Sequence, residues 1–410
     1  MTFTPEQARS QFSSLSQTIN ELPVLFLDGP GGSQVPNSVL TAMIEYLGYS
    51  NSNLGGHFFS SQTTNSVMDT ARSSCAALLN APSNNNIVFG ANMTSLTFQL
   101  SRAISREWKA GDEIIVTALD HYSNVSSWQQ AAEDKGVIVH QVRVNTTDCT
   151  LDMDHFYSLL SDKTKLVATT LASNTTGSLV DVKSMINAAH GVDAIVYVDA
   201  VHYAPHHLID VQDLDCDFLA CSAYKFFGPH VGIAYVSTKW LQTLSPYKVE
   251  PATNIGPGRF ETGTQSFEGL VGVTAAIEYL AQWGVKELGL RERLIFSFTQ
   301  YEQHELALTH YFLNKLDSRP WISLFGISDP EYCTHRTPTF AIRLQDHTPE
   351  AVAKALGLHN VCVWNGHFYA LGLVKQLNLE ECGGVVRIGF MHYNTIDEID
   401  YLFSLLDALA

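Results

Sequence analysis

Residues 217–236 read "DFLACSAYKFFGPHVGIAYV", two buried strands joined by a polar turn, with a single amine, Lys225, inside the run. A lysine at the mouth of a turn ordinarily lays its stem along apolar surface and keeps its charge in water. A desolvated lysine instead loses its proton more readily and can form a Schiff base with a carbonyl cofactor. The residues around it along the chain decide between these two readings.

On either side of this stretch, short apolar runs alternate with amphipathic segments. "NIVFG", "DEIIVTAL", "VIVHQVRV", "KLVATTLAS", "AIVYVDAVH", "FLACSAY" and "VGIAYVS" have strand character, and "NSVLTAMIEYLGY", "SLTFQLSRAISREW", "NVSSWQQAAEDKG" and "VDVKSMINAAHG" carry apolar residues at helical spacing. Near-continuous Val, Ile, Leu and Ala strands between helices describe an α/β unit, a mainly parallel seven-stranded sheet buried on both faces. It is expected over residues 22–250. Beyond Pro251, long helices and then alternating strands ("TPTFAIRL", "NVCVWNG", "GVVRIGF") predict a smaller α+β domain over 251–410. Residues 1–21 are expected to hold a helix that packs on this smaller domain and starts at the capping pattern Thr4-Pro5-Glu6-Gln7.

With 410 residues, 45% hydrophobic and 16% charged, the chain has the composition of a globular protein with more than one domain. A net charge of −17 argues against nucleic acid or an anionic membrane as partner and favours small-molecule chemistry. No run of about 18 apolar residues reads as a membrane span. The opening "MTFTPEQARSQFSSLSQ" lacks the form of a secretory signal, so a cytoplasmic location is expected. The seven cysteines are scattered without CxxC pairs and suggest neither a disulfide framework nor a metal site.

In an open parallel sheet, ligands sit beyond the carboxyl ends of the strands. Thr94 and Ser95 follow "NIVFG" and open a helix, where free N–H groups and hydroxyls suit a phosphate. His121 follows "DEIIVTAL" and can lie flat on an aromatic ring. Asn174, after "KLVATTLAS", is a neutral donor at the same edge. Asp199 closes "AIVYVD", and a carboxylate there is costly to desolvate without a partner such as a pyridinium N–H. His202 can reach a ring hydroxyl and Ser222 the phosphate. Lys225, 26 residues after Asp199, can reach an aldehyde. Together these requirements describe pyridoxal 5′-phosphate, an electron sink held through a lysine with an acidic residue on its ring nitrogen.

The order Asp199-Ala-Val-His202 and Ser222-Ala-Tyr-Lys225, preceded by "NMTS", "DHYSN" and "ASNTTGSLVDV", resembles the class V aminotransferase superfamily, and within it the cysteine desulfurase branch. The likeness runs nearly the full length. It implies the fold type I of pyridoxal phosphate enzymes, a homodimer and a small α-amino acid substrate. It implies Lys225 as the cofactor-bearing lysine and proton carrier, Asp199 at the ring nitrogen and His121 stacked on the ring. Asn174 and His202 fall near the ring oxygen. Ser222, Thr94 and Thr264 of "RFETGT" fall at the phosphate, Thr264 that of the partner subunit. Tyr224, where the branch usually has His, can also donate to phosphate. Arg387 of "VVRIGFMHYNT" is implied as the clamp on the substrate carboxylate, and "FLDGPGGSQVP", with Gly31, as the segment bordering the substrate.

The departures bear on the reaction. Where the branch shows Gly-His-His-Cys, this chain reads Gly366-His367-Phe368-Tyr369; Trp364 replaces an arginine, and Asn53-Leu54 a His-Arg pair. Cys362 lies in an expected strand and reads as a small core residue. Trp364, His367 and Tyr369 are expected to shape the substrate pocket. The expected activity is a C–S or other β-eliminating lyase without a cysteine nucleophile. The alternatives are an aminotransferase or epimerase and, lower, a cofactor-binding protein without turnover.

Overall fold

The computed structural model describes residues 3–410. Seven strands form the larger sheet: β1 (Ile87–Gly90), β2 (Glu113–Thr117), β3 (Ile138–Val142), β4 (Thr164–Thr170), β5 (Ile195–Asp199), β6 (Phe218–Ser222) and β7 (Gly232–Val236). Their spatial order is β1-β7-β6-β5-β4-β2-β3. β7 runs antiparallel to both of its neighbours and the other pairs are parallel. Every residue of β6 and β7 is buried, as an inner strand covered on both faces requires. β3 is an edge strand, and there His140 and Gln141 keep partial access to water.

Side chains alternate between two apolar layers with the period of two that strands impose. Val88, Ile114, Val116, Ala168, Tyr197 and Phe218 face the layer formed with helices α1 (Met93–Ile104) and α2 (Ser123–Glu133). Phe89, Ile115, Val167, Val198 and Leu219 face the other layer, which includes α3 (Val182–His190) and α4 (Phe267–Leu280). Burying a large apolar side chain of this kind is worth about 1.5–3 kcal/mol, so the sheet is a well-anchored platform.

The second sheet is antiparallel, with β8 (Ile322–Phe325), β9 (Thr339–Leu344), β10 (Trp364–Gly366) and β11 (Val385–Gly389) in the order β8-β9-β11-β10. Helices α5 (Leu290–Leu316) and α6 (Ile396–Asp407) close its core through Phe312, Phe340, Ile388, Leu402 and Phe403.

Three features differ from the sequence expectation. The cores do not part cleanly at residue 250: α4 buries Leu270, Val273 and Ile277 in the larger unit, whereas Leu25 and Leu27 join the core of the smaller one. Apolar faces choose their partners by fit and not by order along the chain. "NVCVWNG" is two strands, since Val361–Cys362 pairs in parallel with Leu25–Phe26, and Trp364–Gly366 pairs with β11. β8 carries no strong strand pattern and was not anticipated.

Within the expected segment 1–21, residues 1 and 2 lie outside the described part. The helix Pro5–Arg9 starts at Thr4, whose hydroxyl accepts the Gln7 N–H at 3.3 Å. Arg9 pairs with Glu398 of α6 at 2.8 Å, but Ala8, Phe12 and Leu15 are buried in the core of the larger unit, and Phe3 packs edge-on against Trp283 and Tyr301 of that core, so the segment does not pack on the smaller domain alone as expected. Among the described residues no helix is long and apolar enough to cross a membrane.

Candidate active site

The carboxyl ends of β1, β2, β4, β5 and β6 open on one cavity of ≈ 570 Å³. Its wall brings together Thr94, Ser95, His121, Asn174, Asp199, His202, Ser222, Tyr224 and Lys225 from five separate strand ends, and adds Pro30, Asn92, Thr170 and His230.

Lys225 ends the short 3₁₀ turn Ala223–Lys225 that follows β6, and the buried Phe226 and Phe227 lock the turn behind it. Its amine donates to the carbonyl of Pro30. Burial, and then the positive charge of Arg387, bring its pKa down to about 7, against the opposing pull of Asp199 and Asp28. A snorkelling lysine would not show this, so the amine belongs to the site. Asp199 is buried at the end of β5, and its Oδ1 accepts the Val201 N–H at 2.8 Å. Burial raises it to about 6, while the Val201 N–H and the Lys225 charge hold it down.

His121 is fixed by Ser123, whose N–H donates to Nδ1 at 3.1 Å and whose hydroxyl lies 2.8 Å from the same atom. With Nδ1 accepting, the ring proton sits on Nε2. Burial, then Lys225 and Arg387, lower its pKa to about 4, so the imidazole is neutral at pH 7. The fully buried Asp120 braces this loop by accepting from Thr117 Oγ1 and from Asn124 Nδ2, the latter at 2.7 Å. His202 is buried with Nε2 3.1 Å from Thr337 Oγ1, and burial, then His206, hold it well below the ordinary histidine range.

Asn174 was expected to offer a donor. Its Nδ2 instead donates to the Phe368 carbonyl at 2.9 Å, the acceptor within reach, and the buried Oδ1 is the atom left without a partner. The Asn174 carbonyl accepts from Arg387 Nη1 at 2.9 Å. Arg387 lies on β11, its guanidinium 4.1 Å from the Phe368 ring centroid and its Nε buried and unpartnered. Burial lowers its pKa to about 9 against the pull of Asp28 and Tyr224. Trp364 is paired directly opposite Arg387, and a Cβ on Gly31 would stand 2.8 Å from the indole nitrogen and 3.6 Å from Arg387 Nη2. Gly31, Trp364 and Arg387 thus form one cluster beside the cavity.

At the other end, the Ser222 hydroxyl accepts the Met93 N–H at 3.0 Å, which docks the start of α1 on β6. Asn92 caps the helix by accepting from the Ser95 N–H at 2.9 Å. The Ser95 hydroxyl also donates to Asn92, at 3.1 Å, so its proton is committed to the cap. Thr94 and Ser95 are exposed on the cavity wall. The approach needs Gly232, the first residue of β7, because a Cβ there would lie 2.4 Å from the backbone carbon of Asn92. Tyr224 stacks on His230 with centroids 4.9 Å apart.

Three expected residues stand apart. Thr264 lies in a neighbouring cavity with Gly90, Gln99 and His230, and does not line the Lys225 cavity of its own chain. His367 and Tyr369 are exposed. Phe368 and Tyr369 have φ of 51° and 58°, and non-glycine residues in that region cost about 1–3 kcal/mol each. Cys362 is half-buried on its short strand, where burial pushes the thiol up. Sequence reading missed Phe368, Asp28 and the Pro30 carbonyl. Of these only Asp28, a carboxylate after an apolar run, left a signal.

A buried carboxylate, a depressed lysine, a stackable neutral imidazole and a helix start framed by hydroxyls suit a protonated pyridine, an aldehyde, an aromatic ring and a phosphate respectively. The orphaned Asn174 Oδ1 adds a free acceptor. The donor set fits pyridoxal phosphate.

The family model described as "Aminotransferase class-V" matches residues 25–402. A cysteine desulfurase of Escherichia coli O9:H4 (strain HS) is 31% identical over 430 residues, covering 100% of this chain and 99% of that protein. The apo structure of a cysteine desulfurase from Thermococcus onnurineus NA1 superposes with a TM-score of 0.88 at 25% identity, covering 100% of this chain and 99% of the other. A C-DES mutant with glycine covalently linked to its PLP cofactor shares the fold, with a TM-score of 0.80 at 19% identity and coverage of 97% and 99%.

Proposed function

Because this chain belongs to the class V aminotransferase family and is a pyridoxal phosphate-dependent, cysteine desulfurase-like enzyme, we propose that it cleaves a Cβ–S or similar Cβ bond of a small α-amino acid without an enzyme thiol as nucleophile. The observation that carries this reading is the Gly366–Tyr369 turn. It holds no cysteine, and its Tyr369 side chain is outside the cavity that Lys225 lines.

When bound, the cofactor supplies an aldehyde for an amine and a ring that accepts electron density from Cα. In this reading Lys225 carries it and moves the proton at Cα, as a lysine with a pKa of about 7 can do at neutral pH. Asp199 would hold the ring nitrogen protonated. His121 would lie against the ring face, His202 and Asn174 would sit by the ring oxygen, and Ser222, Thr94, Ser95 and Tyr224 would hold the phosphate. Arg387 binds the substrate carboxylate through the guanidinium edge that Asn174 leaves free, with Gly31 providing room and Trp364 bordering it. With no thiol to take the sulfur, the leaving group departs to solvent. A homodimer completes the site through Thr264 of the second copy. We place the division into domains near residue 250, with α4 and the 25–27 segment exchanged between the cores, and the protein in the cytoplasm.

The test incubates the purified protein with a panel of amino acids. Sulfide and pyruvate formed without an acceptor support the reading. Amino transfer that needs a keto-acid acceptor, or exchange of the α-hydrogen in deuterated water alone, refutes it in favour of an aminotransferase or an epimerase. No turnover refutes it in favour of a binding protein.

A further inference from the structure

The turn after β10 puts two side-chain-bearing residues in succession, Phe368 and Tyr369, in the left-handed region that L residues rarely enter. Hydrogen bonds hold them there. The Phe368 carbonyl accepts from Asn174 Nδ2 at 2.9 Å, and the Tyr369 carbonyl accepts the Tyr122 N–H at 2.8 Å. Within the turn, the Tyr369 N–H donates to His367 Nδ1 at 3.0 Å and the Ala370 N–H to the His367 carbonyl at 2.8 Å. Two of these bonds therefore reach the loops after β4 and β2, the loops that carry Asn174 and His121. Their result is to lay the Tyr369 ring against the His121 imidazole, with centroids 5.1 Å apart and planes 26° from parallel. His121 lines the cavity and Tyr369, stacked on it, does not.

We propose that Tyr369 is a positioning residue: its ring braces His121 from behind and fixes the plane in which the imidazole meets the cofactor. The inference rests on the reading of His121 as the ring-stacking residue. Ser123 fixes the rotation of the imidazole through Nδ1, and the Tyr369 face fixes its tilt. Neither constraint alone defines the plane. The contact is made by the aromatic face, so the phenol hydroxyl has no part in it. The turn that the resemblance associates with a nucleophile serves here as a strut, which explains why a strained backbone is tolerated at this point.

The test follows the titration of His121 by NMR in the full-length protein with and without cofactor, its signal identified by its loss in His121→Asn. Lys225, Arg387 and Ser123, the other groups acting on the imidazole, stay in place in the Tyr369 variants. In Tyr369→Ala one face of the ring opens to water, so the pKa rises from about 4 toward the ordinary histidine value, and the visible circular dichroism of the bound cofactor changes. Tyr369→Phe keeps both signals as they are in the unaltered protein. An unmoved His121 titration in Tyr369→Ala overturns the inference. So does Tyr369→Phe behaving like Tyr369→Ala, which would place the effect on the hydroxyl. If His121→Asn leaves the cofactor dichroism unchanged, the stacking reading beneath the inference fails, and the titration still reports separately whether the brace exists.

Discussion

The Arg387 guanidinium lies 4.1 Å from the centroid of the Phe368 ring while its Nη1 donates to the Asn174 carbonyl at 2.9 Å. One contact comes from a loop of the larger unit and the other from a turn of the smaller, so Arg387, the proposed clamp for the substrate, is set where the two meet. A buried cation over an aromatic face gains about 1–2 kcal/mol.

Phe368→Ala should therefore loosen Arg387 without touching Lys225. KM for the amino acid should rise about 5–30-fold, the factor that corresponds to that energy, with kcat changed far less. Steady-state kinetics decide the matter: a fall in kcat at constant KM would place Phe368 at the reacting atoms instead.

The pH response follows from Lys225, with a pKa of about 7, and Asp199, at about 6. Only the free amine captures the aldehyde, so the rate of cofactor uptake by cofactor-free protein should climb through pH 7 and level off above it. Stability responds over a higher window. Between about 7 and the unfolded value of 10.5 the unfolded chain holds more protons on this lysine, so stability rises with pH across that window. Asp199 has the opposite sign: its folded pKa is raised from 3.8 to about 6, and its contribution falls as pH rises between those values. Lys225→Met should flatten the upper window and Asp199→Asn the lower. Stopped-flow uptake that is flat from about pH 6 to 9 would contradict the lysine assignment.

At the proposed phosphate end, Gly232→Ala would drive a methyl group against the backbone of Asn92, an atom that cannot swing aside. Relief requires the start of α1 to lift from Ser222. A loss of about 1–3 kcal/mol in denaturant unfolding is expected, together with weaker cofactor retention on dialysis. Normal retention would show that the helix start is not the phosphate site.

Thr264 offers a test of the homodimer. Thr264→Ala and Lys225→Ala proteins should each be impaired, the second by about 10²–10⁴-fold. Unfolding and refolding the two together should recover part of the activity, because one site of the mixed dimer then has both residues. Absence of recovery, with mixed dimers verified by mass, would confine Thr264 to its own chain.

Much of this site was legible because strands repeat. An apolar run closed or followed by a polar residue names its own carboxyl edge, and the five runs that lead to Thr94, His121, Asn174, Asp199 and Ser222 point at one place. The donor sense of Asn174 was not legible, since it depends on a carbonyl 194 residues away. Nor was Phe368: its contact with Arg387 depends on β10 pairing with β11 so that Trp364 faces Arg387.

By itself the sequence determined the sheet, the lysine and its carboxylate, because local periodicity and residue chemistry are properties of short segments. Only the tertiary structure decided that Tyr369 stacks on His121 without lining the cavity, that the Phe368 ring lies against Arg387, and that α4 belongs with the larger core. Those depend on which distant surfaces fit one another, and no window along the chain contains both partners.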